Sequence, residues 1–182
     1  MKRDEEISEK RRGRGVFRSN KEKMLSRIVF GIYLGLLTWL VLFKFATDFS
    51  ALPHIRRINW IPFYYDQAVS THLKEVLYNI VVFAPLGVYL HLFFEKQSIV
   101  RKCAAVLSVS LLFEAIQFAF AIGASDVTDL IGNTLGGLLG ILFCMGLKWV
   151  MPRRFASLIN GAGLVIEACG LGLMALLWAA NG

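Results

Sequence analysis

The composition of this 182-residue chain indicates a protein of the lipid bilayer. Hydrophobic residues make up 56% of it and charged residues 18%, and its mean hydropathy of +0.57 is well above that of soluble globular domains. The net charge of +7 does not indicate nucleic-acid binding, because the basic residues cluster in the connections between apolar runs. We therefore expect no nucleic-acid partner.

Five apolar runs are each long enough to cross the hydrocarbon core of a membrane, which takes about 20 residues. They span residues 28–46, 76–94, 103–123, 130–147 and 155–180. The first run is longer than the apolar core of a secretory signal and lacks a small-residue cleavage site, so we interpret it as a membrane span. The predicted fold class is an all-α integral membrane protein with five transmembrane helices.

The distribution of Lys and Arg predicts the orientation of these spans. Basic residues are frequent in 1–27, 95–102 and 148–154. The connections on the other side carry Arg56, Arg57 and Lys74. Because cytoplasmic loops have an excess of basic residues, the N-terminus is predicted to be cytoplasmic and the C-terminus, after five crossings, to lie outside. The predicted location is the cell membrane, as a multi-pass protein.

The chain divides into three predicted units. Residues 1–26 form a basic cytoplasmic tail with too little apolar content to fold alone, residues 27–150 form a four-helix membrane domain, and residues 151–182 contain the fifth transmembrane helix. Between the first two spans, the aromatic stretch RINWIPFYY at 57–65 is predicted to lie in the membrane interface, where Trp and Tyr are enriched. A lid over a ligand is the alternative interpretation of this segment.

The second and fifth spans each carry polar residues on one side. Glu75 and Asn79 lie one helical turn apart near the outer end of the second span. In the fifth span, Asn160 and Glu167 share a side, and Glu167 lies about 18 Å from the start of the span. An unpaired carboxylate at this depth is costly, so we expect Glu167 to face the bundle and to be protonated or partnered.

The third and fourth spans carry the densest set of polar and small residues. In the third span, Ser110, Glu114 and Gln117 lie on one side of the helix. A short turn at 123–125 returns the chain antiparallel, so the two spans are predicted to form a helical hairpin. In the fourth span the polar and small residues fall within about a third of the circumference. They are Asp126, Asp129, Asn133 and the glycines Gly132, Gly136 and Gly140, which we expect to pack closely against a neighbouring helix.

These polar side chains are predicted to meet in one layer beneath the outer surface. Facing lipid would be costly for each of them, so we expect them to face one another around a polar cavity that opens to the outer leaflet. The predicted ligand-binding residues are Glu75, Asn79, Glu114, Gln117, Asp126, Asp129 and Asn133, with Arg56 and Arg57 above them. The alternative is interhelical hydrogen bonding alone, which we favour for Gln117 and Asn133 taken singly.

The candidate catalytic groups are Glu114, Asp126 and Asp129, since interhelical contacts do not require three acids without a nearby base. Their oxygens could hold a divalent cation, which could bridge to a lipid pyrophosphate. Asp126 and Asp129 are also placed for N-terminal helix capping, which is the more frequent role. No other cofactor is expected, and the sequence shows no nucleophilic set.

The order of these motifs resembles the VanZ-like family of bacterial membrane proteins. The matching residues are Asn59, Pro62 and Phe63 in NWIPF, Asn79, Phe83, Pro85, Leu86 and Gly87 in NIVVFAPLG, the pair Glu114 and Gln117, and Asp126, Asp129, Asn133, Gly136, Gly137 and Gly140. The resemblance covers about residues 27–149. Trp60 departs from the aliphatic residue usual in the family, and Gly123 and Ala124 replace an Arg. This replacement makes Arg56, Arg57 or Lys74 the expected ion partner of the acids.

The resemblance implies a Gram-positive cell-membrane protein that lowers susceptibility to teicoplanin, a glycopeptide with a lipid tail, and it implies no particular reaction. Our first hypothesis is a non-enzymatic factor whose cavity engages membrane lipids, the tail of a lipoglycopeptide, or a lipid-linked cell-wall precursor. Our second is an intramembrane enzyme that modifies a polyprenyl phosphate or another envelope lipid. In that enzyme Glu114, Asp126 and Asp129 would be the metal or acid–base groups.

Overall fold

The structure, a computed structural model, describes residues 16–17, 19–43, 55–63 and 69–181. Its elements are α1 (Asn20–Phe43), β1 (Ile55–Asn59), α2 (Val69–Phe93), α3 (Ile99–Phe120), β2 (Ile122–Asp126), α4 (Val127–Val150) and α5 (Phe155–Asn181). Among the described residues, all five helices are long and apolar enough to cross a membrane, as predicted. Most of the predicted tail, and most of the connection between α1 and α2, lie outside the described residues.

Two short strands lie at one end of the bundle, which we call the strand end. The predicted turn at 123–125 is instead the middle of β2, which pairs in parallel with β1. The register runs from Ile55 opposite Ile122 to Asn59 opposite Asp126. The pairing is parallel because β1 follows α1 and β2 follows α3, and these two helices leave the bundle at the same end. The prediction missed the strands because a single sequence does not reveal pairing between segments so far apart in the chain.

The most extensive contact between helices joins α2 and α4. The three glycines expected to pack closely, Gly132, Gly136 and Gly140, all face α2. A Cβ atom at Gly136 would overlap the backbone of Ile80, and one at Gly140 would overlap the backbone of Ala84. The absence of side chains therefore allows the two helix backbones to touch, which brings the polar residues at the ends of α2 and α4 together.

Two apolar clusters fill the bundle. The one nearer the strand end joins α1, α2, α3 and β2 and contains Tyr33, Leu37, Leu42, Phe83, Leu86, Val106, Phe113 and Ile122. The other joins α1, α2, α4 and α5 and contains Val29, Tyr89, Leu92, Cys144, Phe155, Ala156 and Ile159. Glu167 of α5 is 4% exposed and faces the bundle, as predicted. Neither of its carboxyl oxygens has a hydrogen-bond partner among the described residues.

Charged side chains hold the opposite end of the bundle, which we call the basic end. Glu95, in the connection between α2 and α3, forms an ion pair with Lys148 of α4. Lys102 of α3 is only 3% exposed. Its ammonium donates to the backbone carbonyl of Glu95 at 3.1 Å and lies 3.1 Å from Nδ1 of His91. These contacts tie α2, α3 and α4 together.

Candidate functional site

Glu114 of α3 attaches that helix to β2. Its side chain is buried, and one carboxylate oxygen accepts a hydrogen bond from the backbone N–H of Asp126 at 3.2 Å. Its backbone carbonyl accepts a second hydrogen bond from the hydroxyl of Ser125 at 3.0 Å. Ala121 adopts a left-handed conformation (φ 56°), which ends α3 and turns the chain back beside it. Glu114 thus fixes the strand that leads into α4.

Asp126 is the N-cap of α4. One carboxylate oxygen accepts the backbone N–H of Thr128 at 2.7 Å, so it satisfies a donor that the first helical turn would otherwise leave unpaired. The other oxygen accepts the side-chain amide of Asn59 at 3.1 Å. The carboxylate therefore joins the end of β1 to the start of α4, and capping is its observed role.

The segment 59–63, NWIPF, is fixed against the start of α4. Oδ1 of Asn59 accepts the backbone N–H of Ile61 at 3.2 Å, and the backbone N–H of Phe63 donates to the hydroxyl of Thr128 at 3.1 Å. Phe63 has a positive φ of 58°, which is unfavourable for a residue with a side chain and needs such support. The side chains of Trp60, Ile61 and Phe63 are 74%, 59% and 55% exposed. A constrained backbone thus presents three large apolar side chains outward.

Asp129 lies in the first turn of α4 and faces α2. Its Oδ1 accepts a hydrogen bond from the side-chain amide of Asn79 at 2.8 Å. Gly132, one turn further along α4, faces the same part of α2, and a Cβ atom there would lie 3.5 Å from Cβ of Asn79, which is an ordinary contact distance. The hydrogen bond between Asn79 and Asp129 therefore extends the contact that the glycines of α4 make with α2 toward the strand end.

Gln117 and Asn133 are each 3% exposed and bind other helices. The amide of Gln117 donates to the backbone carbonyl of Val41 in α1 at 3.0 Å. The amide of Asn133 donates to the hydroxyl of Ser110 in α3 at 2.8 Å. These contacts agree with the interhelical alternative considered for both residues.

A groove of about 280 Å³ opens at the strand end between α3, α4 and the two strands. It is lined by Ile58, Trp60, Leu111, Glu114, Ala115, Phe118, Ser125, Asp126, Val127 and Leu130. The surface that these residues expose is almost entirely apolar, although two of them are acids. The polar atoms of Glu114 and Asp126 point into the hydrogen bonds described above instead of into the groove.

The residues predicted to line one polar cavity are divided between an apolar groove and several separate hydrogen-bonded pairs. Of the residues predicted to line it, Glu114 and Asp126 border the groove. Asn79 and Asp129 bind each other between α2 and α4, Gln117 and Asn133 are buried in other helix contacts, and Glu75 is exposed. Most of these polar groups meet a donor or acceptor on a neighbouring element, whereas Oε1 of Gln117 and Oδ1 of Asn133 have no hydrogen-bond partner among the described residues.

The predicted ion partners of the acids are Arg56, Arg57 and Lys74. Arg56 and Arg57 are exposed, and the guanidinium of Arg56 donates to the backbone carbonyl of Ala119 at the end of α3, at 3.1 Å. Asp126 and Asp129 each accept a hydrogen bond from a neutral amide, that of Asn59 and that of Asn79 respectively.

The candidate metal ligands Glu114, Asp126 and Asp129 do not form a metal-binding group. Across the part of the chain that the structure describes, no three Asp, Glu, His or Cys side chains lie together as ligands. Asp126 uses its two oxygens for the helix cap and for Asn59. The geometry of these acids is that of hydrogen-bond acceptors within the fold.

Several residues of this region were not predicted as part of the site. Ile58 and Trp60 form one wall of the groove, and Ser125 and Thr128 hold its strands. Asn59 matched the family motif, but no contact could be assigned to it. The sequence signal for these residues was the NWIPF motif, because a polar Asn beside aromatic residues suggests a fixed loop.

Comparison with known proteins agrees with the motifs. Residues 30–150 match the family described as VanZ/LLP1. Over 147 residues the chain is 37% identical to Protein VanZ of Enterococcus faecium, an alignment that covers 79% of this chain and 89% of that relative. No solved structure matches. The first turns of α1 and the whole of α5 lie outside the family match.

Proposed function

The chain belongs to the VanZ/LLP1 family, and on that premise we propose that it lowers the susceptibility of a Gram-positive cell to the lipid-tailed glycopeptide teicoplanin. In this proposal it acts in the cell membrane, with the strand end in the outer leaflet. The groove at the strand end engages a hydrocarbon chain, either the tail of the antibiotic or that of a lipid-linked cell-wall precursor.

The apolar character of the groove is the observation that carries this proposal. Its walls are aliphatic and aromatic side chains, and its volume of about 280 Å³ is near the lower limit of small-molecule sites, about 300 Å³. A phosphate or sugar entering it would lose its hydration without gaining hydrogen bonds, whereas a methylene chain would not. The geometry therefore favours a lipid tail over a headgroup as the part that enters.

The polar contacts around the groove keep its walls in place. Asn59 and Asp126 hold β1 against β2, which positions Ile58 and Trp60 opposite α3. Glu114 holds β2 against α3 from the other side. In this proposal the three acids hold the fold in place. No specific observation favours the second hypothesis, in which an enzyme uses them to modify an envelope lipid.

The test is to fill the groove without disturbing the fold. Ala115 is exposed on α3 and lines the groove, so Ala115→Phe places a ring inside it. Ala104 is exposed on the same helix but does not line the groove, so Ala104→Phe is the matched control. In a teicoplanin-sensitive host, we expect Ala115→Phe to lose the protection that the native chain and the control provide, at equal membrane levels.

A second measurement uses a glycopeptide without a lipid tail. We expect little protection against it, because the groove then has no chain to bind. Equal protection against both antibiotics, or full protection by Ala115→Phe, would show that the groove does not engage a lipid tail.

A further inference from the structure

A second and larger groove lies between the start of α1 and the start of α5. Its volume is about 640 Å³. It is lined by Ser19, Lys21, Glu22, Leu25, Ser157, Asn160, Gly161 and Leu164. All of these residues lie outside residues 30–150, which match the family. The groove is therefore separate from the strand-end groove in both position and sequence.

Asn160 is the residue that sets this groove apart. Its side chain is 1% exposed, and neither Nδ2 nor Oδ1 has a hydrogen-bond partner among the described residues. Burying an amide without partners is costly, and buried polar groups that lack protein partners are commonly satisfied by water or a ligand. The two amide atoms have almost no accessible surface, so an occupant reaches them when the Asn160 side chain turns toward the groove that it borders.

The open end of the groove favours an anionic group. Ser157 lies in the first turn of α5, and helix N-termini carry partial positive charge. Lys21 is exposed at the rim. Glu22 opposes it with one negative charge, and the exposed Arg153 and Arg154 directly precede α5.

The deeper end of the groove is apolar. Leu25 and Leu164 form its sides, and a Cβ atom built on Gly161 would meet no atom within 4 Å. From Ser157 to Leu164 the helix rises about 10 Å, so the groove runs from the helix terminus toward the membrane interior. An occupant must therefore be polar at one end and apolar at the other.

We propose that this groove binds a glycerophospholipid of the leaflet that the predicted topology makes cytoplasmic. Its phosphate lies at the rim with Lys21 and Ser157, its ester oxygens accept from the amide of Asn160, and one acyl chain lies over Gly161. A lipid in this place fills the gap between α1 and α5 and satisfies the buried amide that the protein leaves without a partner.

The experiment uses the full-length protein in detergent and dioleoyl phosphatidylglycerol as the probe. Native mass spectrometry measures bound lipid, with dioleoylglycerol testing the tails alone and glycerol 3-phosphate testing the head alone. We expect the phospholipid to bind, and each fragment to bind at least about tenfold more weakly, because each contacts only half of the groove.

Two glycines supply a matched pair of variants. Gly161 and Gly172 both lie in α5, and a Cβ atom on either would meet no atom within 4 Å. We expect Gly161→Leu to block binding, because it fills the floor of the groove, and Gly172→Leu to bind like the native protein. Equal lipid binding by these two variants would mean that the lipid is only part of the general annulus, and would overturn the proposal.

Asn160→Leu separates a ligand-binding role from a structural one. We expect it to weaken phospholipid binding about fivefold or more, through the loss of hydrogen bonds to the lipid. Without lipid it should leave thermal stability unchanged or raise it, because it removes an unpartnered buried amide. A loss of lipid-free stability with unchanged lipid binding would contradict the assignment. If this variant does not fold, the glycine pair decides.

Discussion

The two ends of the bundle hold their acids in different ways. At the basic end, Glu95 is paired with the ammonium of Lys148. At the strand end, Asp126 and Asp129 accept hydrogen bonds from the neutral amides of two asparagines. An ion pair depends on charge and is weakened by salt, whereas a hydrogen bond from an amide depends on an acceptor oxygen in the right place. The comparison teaches that carboxylates supply charge at one end and acceptor geometry at the other.

The largest expected effect comes from breaking the close contact between α2 and α4, which connects the two ends of the bundle. Gly136→Leu forces a side chain into the backbone of α2 at Ile80, and no rotamer change relieves such an overlap. We expect a loss of more than about 4 kcal/mol in the free energy of unfolding, so that the protein does not accumulate in the membrane. Gly146→Leu on the same helix is the control, since a Cβ atom on Gly146 would meet no atom within 4 Å.

Comparable membrane levels of Gly136→Leu and Gly146→Leu would contradict the close packing of α2 and α4. A folded Gly136→Leu protein would mean that the helices can separate without loss. Close packing of Gly132, Gly136 and Gly140 against α2 would then not be needed to hold the two ends of the bundle together.

The next largest loss of stability is expected when the helix cap at the strand end is removed. Asp126→Ala loses the acceptor for the N–H of Thr128 and leaves the amide of Asn59 without its partner. We expect the free energy of unfolding to fall by about 2 kcal/mol. Asp126→Asn should lose clearly less, because its side-chain oxygen can still cap α4. Equal losses in the two variants would show that the hydrogen bond from Asn59, which both variants lose, matters more than the cap.

A smaller effect is expected at the basic end. The side chains of Lys148 and Glu95 are 33% and 36% exposed, so water screens their attraction. Glu95→Gln should cost about 0.5–1 kcal/mol at low salt and less at high salt. Unfolding of the native protein and the variant at two salt concentrations measures this difference. The effect of Asp126→Asn should not change with salt, and a salt dependence of the same size at both ends would remove the contrast between them.

The sequence predicted the helices well because their signal is local. A run of about 20 apolar residues is sufficient evidence for a membrane span, and the spacing of Gly132, Gly136 and Gly140 identified a packing face without knowledge of the partner helix. The same helical spacing correctly placed Glu114 and Gln117 on a buried side of α3. Residues within one helix are related by a fixed rotation, so their shared face follows from the sequence alone.

The strands and the hydrogen-bond partners could not be predicted in the same way. Asn59 and Asp126 are 67 residues apart, and their contact depends on the parallel pairing of β1 with β2. Residues 122–126 read IGASD, which lacks the β-branched and aromatic pattern of a strand after its first residue. Depth placed the polar residues in one layer, but depth does not determine which neighbour each side chain meets. The individual hydrogen-bond partners could therefore not be assigned from the sequence.

The smallest expected effect is the most informative for function. Glu114→Gln and Asp129→Asn remove a charge but keep an oxygen that can accept from the backbone N–H of Asp126 and from the amide of Asn79, respectively. If the acids serve only to hold the fold, stability should change by no more than about 0.5 kcal/mol and teicoplanin resistance should be retained at equal membrane levels. Resistance assays beside quantified membrane protein make the measurement. Loss of resistance in either well-folded variant would indicate that the negative charge at the strand end has a role beyond holding the fold. The groove would then need to recognise a cationic or metal-bound group in addition to a hydrocarbon chain.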